Sequence, residues 1–330
     1  MKTKNEIKRI AVFTSGGDAP GMNACIRAVV RASIYYEKKV TGIYRGYQGM
    51  IEGDFEKMNS RSVSNILQRG GTILKTARCE DFKTKEGRAK AYENLVKNEI
   101  DAVVAIGGDG TFTGAWEFMN EHDIPFVGVP GTIDNDLFGT DYTIGFDTAT
   151  NTAIEAIDKI RDTASSHNRL FFIEVMGRNS GAIAIRAAIA AGAEAMMIPE
   201  KPISVEELIT IIEKGEKSQK SSSMIVVAEG GTSGKNLYEI VEEIKKKFPL
   251  YDPKMAILGH TQRGGSPSCY DRLLASRMGV GAVEALMDGK SGVMVGIVNE
   301  KIMFTPFDKA IHVEPGIDEE IVRISKILAM

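Results

Sequence analysis

Two stretches, Gly107-Gly108-Asp109-Gly110-Thr111 and Pro130-Gly131-Thr132-Ile133-Asp134-Asn135-Asp136, decide the fold expected for this chain. Each follows a short apolar run, residues 102–106 and 125–129, and such runs closed by glycine are typical of buried parallel strands. The segment 113–122 between them is long enough for a crossover helix. Both stretches should then lie at the carboxyl ends of neighbouring strands, the sheet edge where α/β proteins bind ligands.

The residue types in these stretches favour phosphate and metal chemistry. Glycines let backbone N–H groups approach a phosphate closely. Asp109, Asp134 and Asp136 should crowd one small space, where they would repel one another unless a divalent cation and a polyphosphate were present. The remaining carboxylate can act as a base, so the pattern predicts a Mg²⁺-dependent phosphoryl-transfer site. Alternatively, either stretch alone could be a turn whose aspartates cap helices; their pairing in adjacent loops favours the site.

Length, charge and cysteine content limit the class of protein. The chain has 330 residues, 43% of them hydrophobic and 26% charged, as expected for a soluble protein of one large or two medium domains. A formal net charge of -3 argues against a nucleic-acid partner. We recognise no signal peptide and no apolar stretch of membrane-spanning length. The three cysteines lack metal-ligand spacing, so we expect reduced thiols and a cytoplasmic protein.

Another glycine-rich loop comes first along the chain. Residues 9–13 predict a strand that runs into Thr14-Ser15-Gly16-Gly17-Asp18 and then a helix over 24–35. The amino terminus of that helix attracts an anion, although the loop is not a Walker A loop because no Lys-Ser/Thr pair follows. Arg27 and Arg31 share one face of the helix, where they either meet solvent or bind a phosphate.

Strands and helices alternate over the rest of the chain. Further strands are predicted at 40–44, 170–175, 224–228, 254–258 and 293–298, and further helices at 61–68, 88–98, 270–287 and 318–328. Thr152 with Glu155, and Ser204 with Glu207, have capping-box spacing, so a helix should begin at each pair. The loop 259–265 suits a sugar phosphate or, alternatively, only begins the following helix. The alternation predicts a doubly wound α/β architecture.

The motifs at 14–18, 107–110, 130–136, 176–178 and 259–265 occur in the order found in a known family. Through them the chain closely resembles the bacterial ATP-dependent 6-phosphofructokinases over nearly all of its length. The resemblance implies an α/β fold of two doubly wound, Rossmann-like domains with mostly parallel sheets. Residues 1–144 and 261–312 would form the ATP-binding domain, and residues 145–260 and 313–330 the fructose 6-phosphate-binding domain. It also implies a homotetramer whose active sites are shared between subunits.

The resemblance also assigns roles to single residues. ATP would be held by Gly17, Tyr47, Arg78, Cys79, Gly108, Asp109, Gly110 and Thr111, and Mg²⁺ by Asp109 and Asp136, directly or through water. Asp134 would be the general base with Thr132 beside it, and Arg178 would stabilise the moving phosphoryl group. Fructose 6-phosphate would be bound by Thr132, Ile133, Asp134, Met176, Gly177, Arg178, Glu229, His260, Thr261, Gln262 and Arg263, and across a subunit interface by Arg169 and Lys254.

An effector site for ADP or phosphoenolpyruvate is implied by Arg27, Arg31, Arg161, Gly192, Glu194 and Lys220. Three positions depart from the family pattern. Cys79 stands where an aromatic residue is frequent, and around Ser60-Arg61 an effector-site arginine is displaced by one position. Lys254 replaces an arginine, so a single positive charge takes the place of a guanidinium that can form two parallel hydrogen bonds. The remaining effector candidates are present, so the resemblance implies allosteric control by ADP or phosphoenolpyruvate.

Other functions fit the motifs less well. An NAD kinase would leave residues 130–136 and the 259–265 loop unexplained, and a Rossmann dehydrogenase would need a G-x-G-x-x-G spacing that Gly108, Gly110 and Gly114 do not have. A non-catalytic sugar-phosphate sensor would have lost a key acid, and none is missing. In the pyrophosphate-dependent relatives an aspartate matches Gly110 and a lysine matches Gly131, so both glycines favour ATP as the donor.

Overall fold

The structure, a computed structural model, describes residues 7–166, 170–217, 223–232, 234, 236–249 and 253–328. It divides into two compact units. The seven-stranded unit comprises residues 1–133, 137–148 and 263–315, and the four-stranded unit comprises residues 134–136, 149–262 and 316–330. The resemblance implied divisions after 144, 260 and 312, whereas the units change after 148, 262 and 315, and residues 134–136 belong to the four-stranded unit.

Helices and strands alternate along the chain. In order they are β1 (Arg9–Thr14), α1 (Met22–Tyr35), β2 (Lys39–Ile43), α2 (Gly46–Glu52), β3 (Phe55–Met58), α3 (Lys85–Lys97), β4 (Ala102–Gly107), α4 (Asp109–Glu121), β5 (Phe126–Pro130), α5 (Phe146–Ser165), β6 (Leu170–Val175), α6 (Ala182–Ala190), β7 (Ala195–Met197), α7 (Val205–Lys217), β8 (Ser223–Ala228), α8 (Leu237–Lys247), β9 (Lys254–Ile257), α9 (Cys269–Met287), β10 (Val293–Val298), β11 (Lys301–Pro306), α10 (Phe307–His312) and α11 (Glu319–Leu328). No helix in the described part of the chain is both long and apolar enough to cross a bilayer.

The seven-stranded unit contains a mixed sheet in the order β11-β10-β5-β4-β1-β2-β3. Its edge pairs, β2 with β3 and β10 with β11, are antiparallel, and the other neighbours are parallel. Every residue of β4 is buried, as expected of a strand covered on both faces. Strand β4 is central in the sheet, with three strands on either side of it.

Aromatic and aliphatic side chains fill the space beside this sheet. Phe13, Phe112, Phe118, Phe126 and Phe307 are fully or almost fully buried in one cluster. Elsewhere in the same unit α1 packs closely on α9, and the approach depends on a glycine. A Cβ atom at Gly279 would lie 2.8 Å from the Ala28 Cβ and 3.0 Å from the Cys25 carbonyl oxygen, so a larger residue would push the helices apart.

The four-stranded unit contains an all-parallel sheet in the order β7-β8-β6-β9. Every residue of β8 is buried. One cluster joins Leu170 and Phe172 of β6 to Leu208 of α7 and Ile240 of α8. Two units of alternating strands and helices, each around a mostly parallel sheet, confirm the expected fold class.

Several local predictions are corrected by the structure. The predicted helix at 61–68 is a series of turns, because the Asn59 Oδ1 accepts hydrogen bonds from the Arg61 and Ser62 backbone N–H groups at 2.8 and 3.3 Å. These bonds offer the backbone an alternative to the helix. The capping box at Ser204 and Glu207 is confirmed: the Glu207 N–H donates to the Ser204 Oγ at 3.1 Å, and the Ser204 N–H to the Glu207 Oε2 at 2.9 Å.

The predicted helix start at Thr152 is wrong, since α5 begins at Phe146. The cap comes from a residue distant in sequence. Asp271 of α9 accepts hydrogen bonds from the Gly145 and Thr148 backbone N–H groups, each at 2.8 Å. These donors are orphan groups of a helix amino terminus, and a carboxylate from α9 satisfies them.

Candidate active site

Three loops meet at the carboxyl edge of the seven-stranded sheet. They follow β1, β4 and β5, which are neighbours in the order β5-β4-β1. The Ser15 N–H donates to the Ile106 carbonyl oxygen at 3.0 Å, and the Gly131 N–H donates to the Gly107 carbonyl oxygen at 2.9 Å. The glycine-rich stretches predicted to lie together are therefore joined by backbone hydrogen bonds.

The amino termini of α1 and α4 both lack a side-chain cap. Gly21, with a left-handed φ of 110°, is the N-cap of α1, and Gly108 is the N-cap of α4. Helix α4 begins at Asp109, earlier than the predicted 113, so Asp109 and Gly110 lie in its first turn and are exposed. An uncapped helix amino terminus offers N–H groups and partial positive charge to a phosphate.

The glycines of these loops differ in what surrounds them. A Cβ atom at Gly107 would lie 2.6 Å from the Ser15 carbonyl oxygen, so the contact between the two loops requires glycine there. A Cβ atom at Gly110 would have no atom within 4 Å, which leaves space for a ligand. At Gly131 it would lie 3.0 Å from the Ile106 Cγ2, so packing inside the protein already accounts for that glycine.

Tyr47, predicted to bind ATP, is a core residue that holds the first turn of α4. Its side chain is only 6% exposed, and its ring stacks on Phe82 with centroids 3.8 Å apart. Its hydroxyl donates to the Thr111 carbonyl oxygen at 2.5 Å, inside the first turn of α4. Burial raises the pKa of Tyr47, so the hydroxyl keeps its proton for this bond.

Thr111 is buried, whereas three other predicted nucleotide residues, Gly17, Arg78 and Cys79, are accessible. Arg78 is exposed and Cys79 is half-buried on the segment before α3. Burial raises the pKa of the Cys79 thiol, which favours its neutral form. Gly17 lies beneath the guanidinium of Arg263, and the Arg263 Nη1 donates to the Asp18 carbonyl oxygen at 3.2 Å. Arg263, expected at the sugar phosphate, therefore also contacts the first glycine-rich loop.

The acidic motif after β5 is split between the two units. Thr132 and Ile133 belong to the seven-stranded unit, where the Thr143 Oγ1 donates to the Thr132 carbonyl oxygen at 2.6 Å. Asp134 and Asp136 belong to the four-stranded unit; Asp134 is 4% exposed, whereas Asp136 is half-buried. Asn135 between them has a left-handed φ of 50°, a backbone conformation that is found at functional sites.

The crowding of Asp109, Asp134 and Asp136 stays a prediction, because Asp109 belongs to the seven-stranded unit and the other two to the four-stranded unit. Among the described residues, no three His, Cys, Asp or Glu side chains form a group that could hold a metal ion. Mg²⁺ usually binds one or two carboxylates and completes its shell with phosphate oxygens and water. The hard oxygen donors Asp109 and Asp136 fit this chemistry as a partial ligand set.

The predicted sugar-phosphate residues of the four-stranded unit come together on loops after β6, β8 and β9. The Met176 N–H donates to the Oε1 of fully buried Gln262 at 2.9 Å. The Arg178 N–H donates to the Glu229 Oε2 at 3.2 Å, and Arg178 adopts a left-handed φ of 51°. Gly177 must be glycine, because a Cβ atom would lie 2.3 Å from the Ser180 carbonyl oxygen.

The 3-10 helix of this cluster carries two exposed side chains and one buried amide nitrogen. His260 and Thr261 are exposed on a 3-10 helix over Gly259–Arg263. The Gln262 Nε2 has no hydrogen-bond partner among the described residues, although the side chain is fully buried. A buried donor without a partner is costly, so this nitrogen suits a bound ligand. Burial, then the charge of Glu229, raises the pKa of Glu174 below these loops.

The predicted effector residues lie in both units. Arg27 is half-buried and Arg31 exposed on α1, and burial, followed by the charge of Arg31, lowers the pKa of Arg27. In the four-stranded unit the Arg161 guanidinium donates to the Ala191 carbonyl oxygen, next to Gly192, and the Glu194 Oε2 accepts from the Met224 N–H at 2.6 Å. Lys220 and Arg169 lie outside the described residues, and Lys254 is half-buried on β9.

Two buried charged residues were not predicted. Asp271, fully buried, accepts from the Gly145 N–H and from the Thr148 N–H and hydroxyl. Arg88 donates to the Glu121 carboxylate and to the Phe82 and Lys83 carbonyl oxygens, ordering the segment after Cys79. Asp271 and the pair of Arg88 with Glu121 both join residues distant in sequence, and a local signal came from the position of Asp271 three residues after Ser268, a capping pair.

A cavity of about 670 Å³ lies in the four-stranded unit between α6, β7, α7 and α11. Its lining is mostly apolar and includes Ile198, Ile211 and Val322. Lys201 on its rim already pairs with Glu319 at 2.9 Å. The lining also contains Lys201, Lys214 and Lys326 and, among its acidic residues, Glu194, which is one of the predicted effector residues. We assign the cavity no substrate.

Comparison with known proteins identifies the family. The phosphofructokinase family profile matches residues 9–286. The chain is 52% identical to ATP-dependent 6-phosphofructokinase 2 of Bacteroides thetaiotaomicron and 54% identical to ATP-dependent 6-phosphofructokinase 1 of Thermus thermophilus, covering 98% of this chain and 99% and 100% of those proteins. A phosphofructokinase structure from Saccharomyces cerevisiae matches with a TM-score of 0.88 and 36% identity, over 98% of this chain and 48% of that longer chain.

A more distant structure shares the fold. The pyrophosphate-dependent phosphofructokinase of Marinobacter aquaeolei matches with a TM-score of 0.81 and 22% identity, over 95% of this chain and 86% of that chain. The family profile and the two bacterial relatives extend through both units and include the glycine-rich and acidic loops described above. The chain therefore belongs to the phosphofructokinase family.

Proposed function

We propose that the protein transfers the γ-phosphoryl group of ATP to the 1-hydroxyl of fructose 6-phosphate. The products are fructose 1,6-bisphosphate and ADP, and the reaction is the committed step of glycolysis in the cytoplasm. The observation that carries the proposal is the uncapped amino terminus of α4 with open space over Gly110. Such a helix end binds phosphates through backbone N–H groups. The bacterial relatives named as ATP-dependent 6-phosphofructokinases, 52% and 54% identical, support the choice of substrates.

ATP binds to the seven-stranded unit in this proposal. Its phosphates lie along the loops containing Gly17 and Gly108–Thr111, with Arg78 and Cys79 on a third segment of the same unit. Tyr47 acts indirectly, by holding the Thr111 carbonyl at the start of α4. Asp109 and Asp136 would hold Mg²⁺, which neutralises phosphate charge and polarises the γ-phosphoryl group when bound.

Asp134 acts as the general base. It takes the proton from the 1-hydroxyl as that oxygen bonds to the γ-phosphorus, while the bond from the γ-phosphorus to the bridging oxygen breaks and leaves ADP. Its low exposure of 4% keeps competing water from the carboxylate. The exposed guanidinium of Arg178 stabilises the charge on the moving phosphoryl group. Asp134 and Arg178 both belong to the four-stranded unit.

Fructose 6-phosphate binds through the loops after β6, β8 and β9. Met176, Gly177, Glu229 and residues 260–263 supply the contacts, with Thr132 and Ile133 on the acidic loop. The buried Gln262 Nε2 supports this assignment, because a ligand oxygen would satisfy it. Arg169 and Lys254 reach the 6-phosphate across a subunit interface of a homotetramer.

Control by ADP or phosphoenolpyruvate completes the proposal. Arg27 and Arg31 supply cations from one helix face, and Arg161, Gly192, Glu194 and Lys220 complete the effector site. Support comes from the Arg161 guanidinium, which lies against the backbone beside Gly192. Arg27, whose charge is partly desolvated, and the exposed Arg31 beside it on α1 together suit an anionic ligand.

Two rival functions make different predictions. A pyrophosphate-dependent enzyme needs no space for an α-phosphate, and the open space over Gly110 argues against it. Gly131 carries less weight in that argument, since its packing on Ile106 also requires a small residue. A non-catalytic sensor would bind fructose 6-phosphate without converting it.

One experiment separates these functions. The purified protein is given fructose 6-phosphate with MgATP or with magnesium pyrophosphate, and fructose 1,6-bisphosphate is measured at steady state. We expect the higher kcat/KM with MgATP and no product when the divalent cation is chelated. A higher kcat/KM with pyrophosphate would overturn the choice of donor, and binding without product from either donor would identify a sensor.

A further inference from the structure

The Arg263 guanidinium lies directly over Gly17 within the seven-stranded unit. A Cβ atom at Gly17 would lie 2.1 Å from the Arg263 Nη1 and 2.8 Å from its Cζ. The space where a side chain would begin is therefore filled by the guanidinium. The same Nη1 donates to the Asp18 carbonyl oxygen at 3.2 Å, which holds the guanidinium on the loop.

The backbone conformation does not explain why glycine stands at this position. Gly16, its neighbour, has a left-handed φ of 82°, which favours glycine for conformational reasons. Gly17 is not among the residues of positive φ, so an alanine could adopt its backbone conformation. What a side chain at Gly17 would meet is the Arg263 guanidinium, and the constraint is therefore one of space.

We propose that Gly17 is a positioning residue for the sugar-phosphate site. By leaving room for the Arg263 guanidinium, it holds that group in the orientation that binds fructose 6-phosphate. This inference rests on the proposed function, in which Arg263 binds the sugar phosphate and the Gly17 loop binds ATP. The contact then joins the two substrate sites, so a change in the nucleotide loop alters affinity for the sugar phosphate.

The effect of a single methyl group is local. Arg263 has a long, flexible side chain, so it can move away from an added Cβ at little cost to the fold. Moving it breaks its hydrogen bond to the Asp18 carbonyl oxygen and turns the guanidinium away from its present direction. Loss of a charge-assisted contact to a phosphate weakens binding, and a coupling of ordinary size changes affinity roughly 5- to 150-fold.

The test compares two alanine substitutions in the two nucleotide loops. Gly17→Ala adds a methyl group against Arg263, and Gly110→Ala adds one in open space. The Kd of fructose 6-phosphate is measured by calorimetry with no nucleotide present, so that an effect on ATP binding cannot contribute. We expect Gly17→Ala to raise this Kd roughly 5- to 150-fold and Gly110→Ala to leave it unchanged. Unchanged affinity in Gly17→Ala, or an equal loss in both variants, overturns the inference.

A double-mutant cycle assigns the effect to Arg263. In Arg263→Ala the guanidinium is absent, so adding Gly17→Ala should cause no further loss of fructose 6-phosphate affinity. Additive losses would show that Gly17 acts by another route and would overturn the inference. Circular dichroism and the thermal midpoint of Gly17→Ala should match those of the wild-type chain.

The wild-type reaction separates this inference from the proposed function. Fructose 1,6-bisphosphate production by the wild-type chain, together with an unchanged Kd in Gly17→Ala, refutes only the role of Gly17. Binding of fructose 6-phosphate without conversion by the wild-type chain refutes the proposed activity and leaves the cycle a valid test of the contact. A wild-type chain that does not bind fructose 6-phosphate refutes both.

Discussion

The buried carboxyl group of Asp271 should make the seven-stranded unit less stable as the pH rises. The substitution Asp271→Asn should remove this pH dependence. The carboxylate is fully buried, and it accepts hydrogen bonds from the Gly145 N–H, the Thr148 N–H and the Thr148 hydroxyl. Burial raises the pKa of Asp271 from 3.8 to about 6, while the three hydrogen bonds act in the opposite direction. The desolvation of the charge thus outweighs the hydrogen bonds.

The sign of the pH effect follows from the raised pKa. The folded state binds the Asp271 proton more tightly than the unfolded state, so its contribution to stability is fully present below pH 3.8. That contribution is lost as the pH rises to about 6 and beyond. A shift of about two pH units corresponds to roughly 3 kcal/mol of unfolding free energy.

Asp271→Asn keeps the shape of the side chain but cannot titrate. The free energy of unfolding of both proteins should be measured by urea denaturation from pH 4 to pH 8. At each pH, the value for the variant is subtracted from the value for the wild-type chain. Because all other titrating groups are common to both proteins, the difference between their free energies of unfolding should fall by roughly 2.4 kcal/mol from pH 4 to pH 8. A difference that stays constant, or that rises with pH, would refute the reasoning.

Asp147 supplies a matched control. Its charge contributes to raising the pKa of Asp271, and it accepts a hydrogen bond from the Ser268 hydroxyl at 2.5 Å. Asp147→Asn should lower the pKa of Asp271 and shift the loss of stability to lower pH, without abolishing it. If Asp147→Asn removed the pH dependence as completely as Asp271→Asn, the titrating group would be Asp147 instead.

Four further predictions concern the proposed activity. Asp134→Asn preserves shape and removes basicity, so kcat should fall by about 10²- to 10⁴-fold with little change in substrate binding; steady-state kinetics showing wild-type kcat would contradict the assignment. Lys254→Ala should raise the KM for fructose 6-phosphate by the equivalent of roughly 1.5–3 kcal/mol, and it should raise the KM for ATP far less. Equal rises in both KM values would argue against a contact between Lys254 and the 6-phosphate. Gly110→Asp puts a carboxylate beside the α4 amino terminus, so kcat/KM for MgATP should drop steeply, and an unimpaired variant would remove the argument for ATP. The double change Arg27→Ala, Arg31→Ala should abolish the shift of the fructose 6-phosphate saturation curve by ADP or phosphoenolpyruvate while sparing Vmax; a persisting shift would locate the effector elsewhere.

Much of the fold could be predicted because its signals are local. The runs before Gly107 and Gly131 are short, apolar and closed by glycine, and they form β4 and β5 as predicted. The capping box at Ser204 and Glu207 depends on two residues three apart, so it could be recognised from spacing alone. Once the strands were predicted, the positions of the loops that follow them could be predicted too, because the carboxyl ends of neighbouring parallel strands lie at the same edge of a sheet.

The candidate site was predicted in part. Residue types at 107–111 and 130–136 indicated phosphate chemistry, but not that Asp134 and Asp136 would belong to the four-stranded unit while Thr132 belongs to the other. Tyr47 was expected to meet ATP, yet its ring is buried on Phe82. Burial of a side chain depends on elements that converge in space, and no pattern within one segment reports it.

The sequence by itself determined most of the strands and helices and the glycine-rich loops, because each depends on periodicity and on residues within one helical turn; the short or edge strands β3, β7 and β11 were not predicted. Only the tertiary structure decided where α5 begins, since Asp271 caps it from more than 120 residues away. Only the tertiary structure placed the Arg263 guanidinium on Gly17. A hydrogen bond or close contact between distant residues depends on how the chain returns on itself, and that information is spread over the whole fold rather than over neighbouring positions.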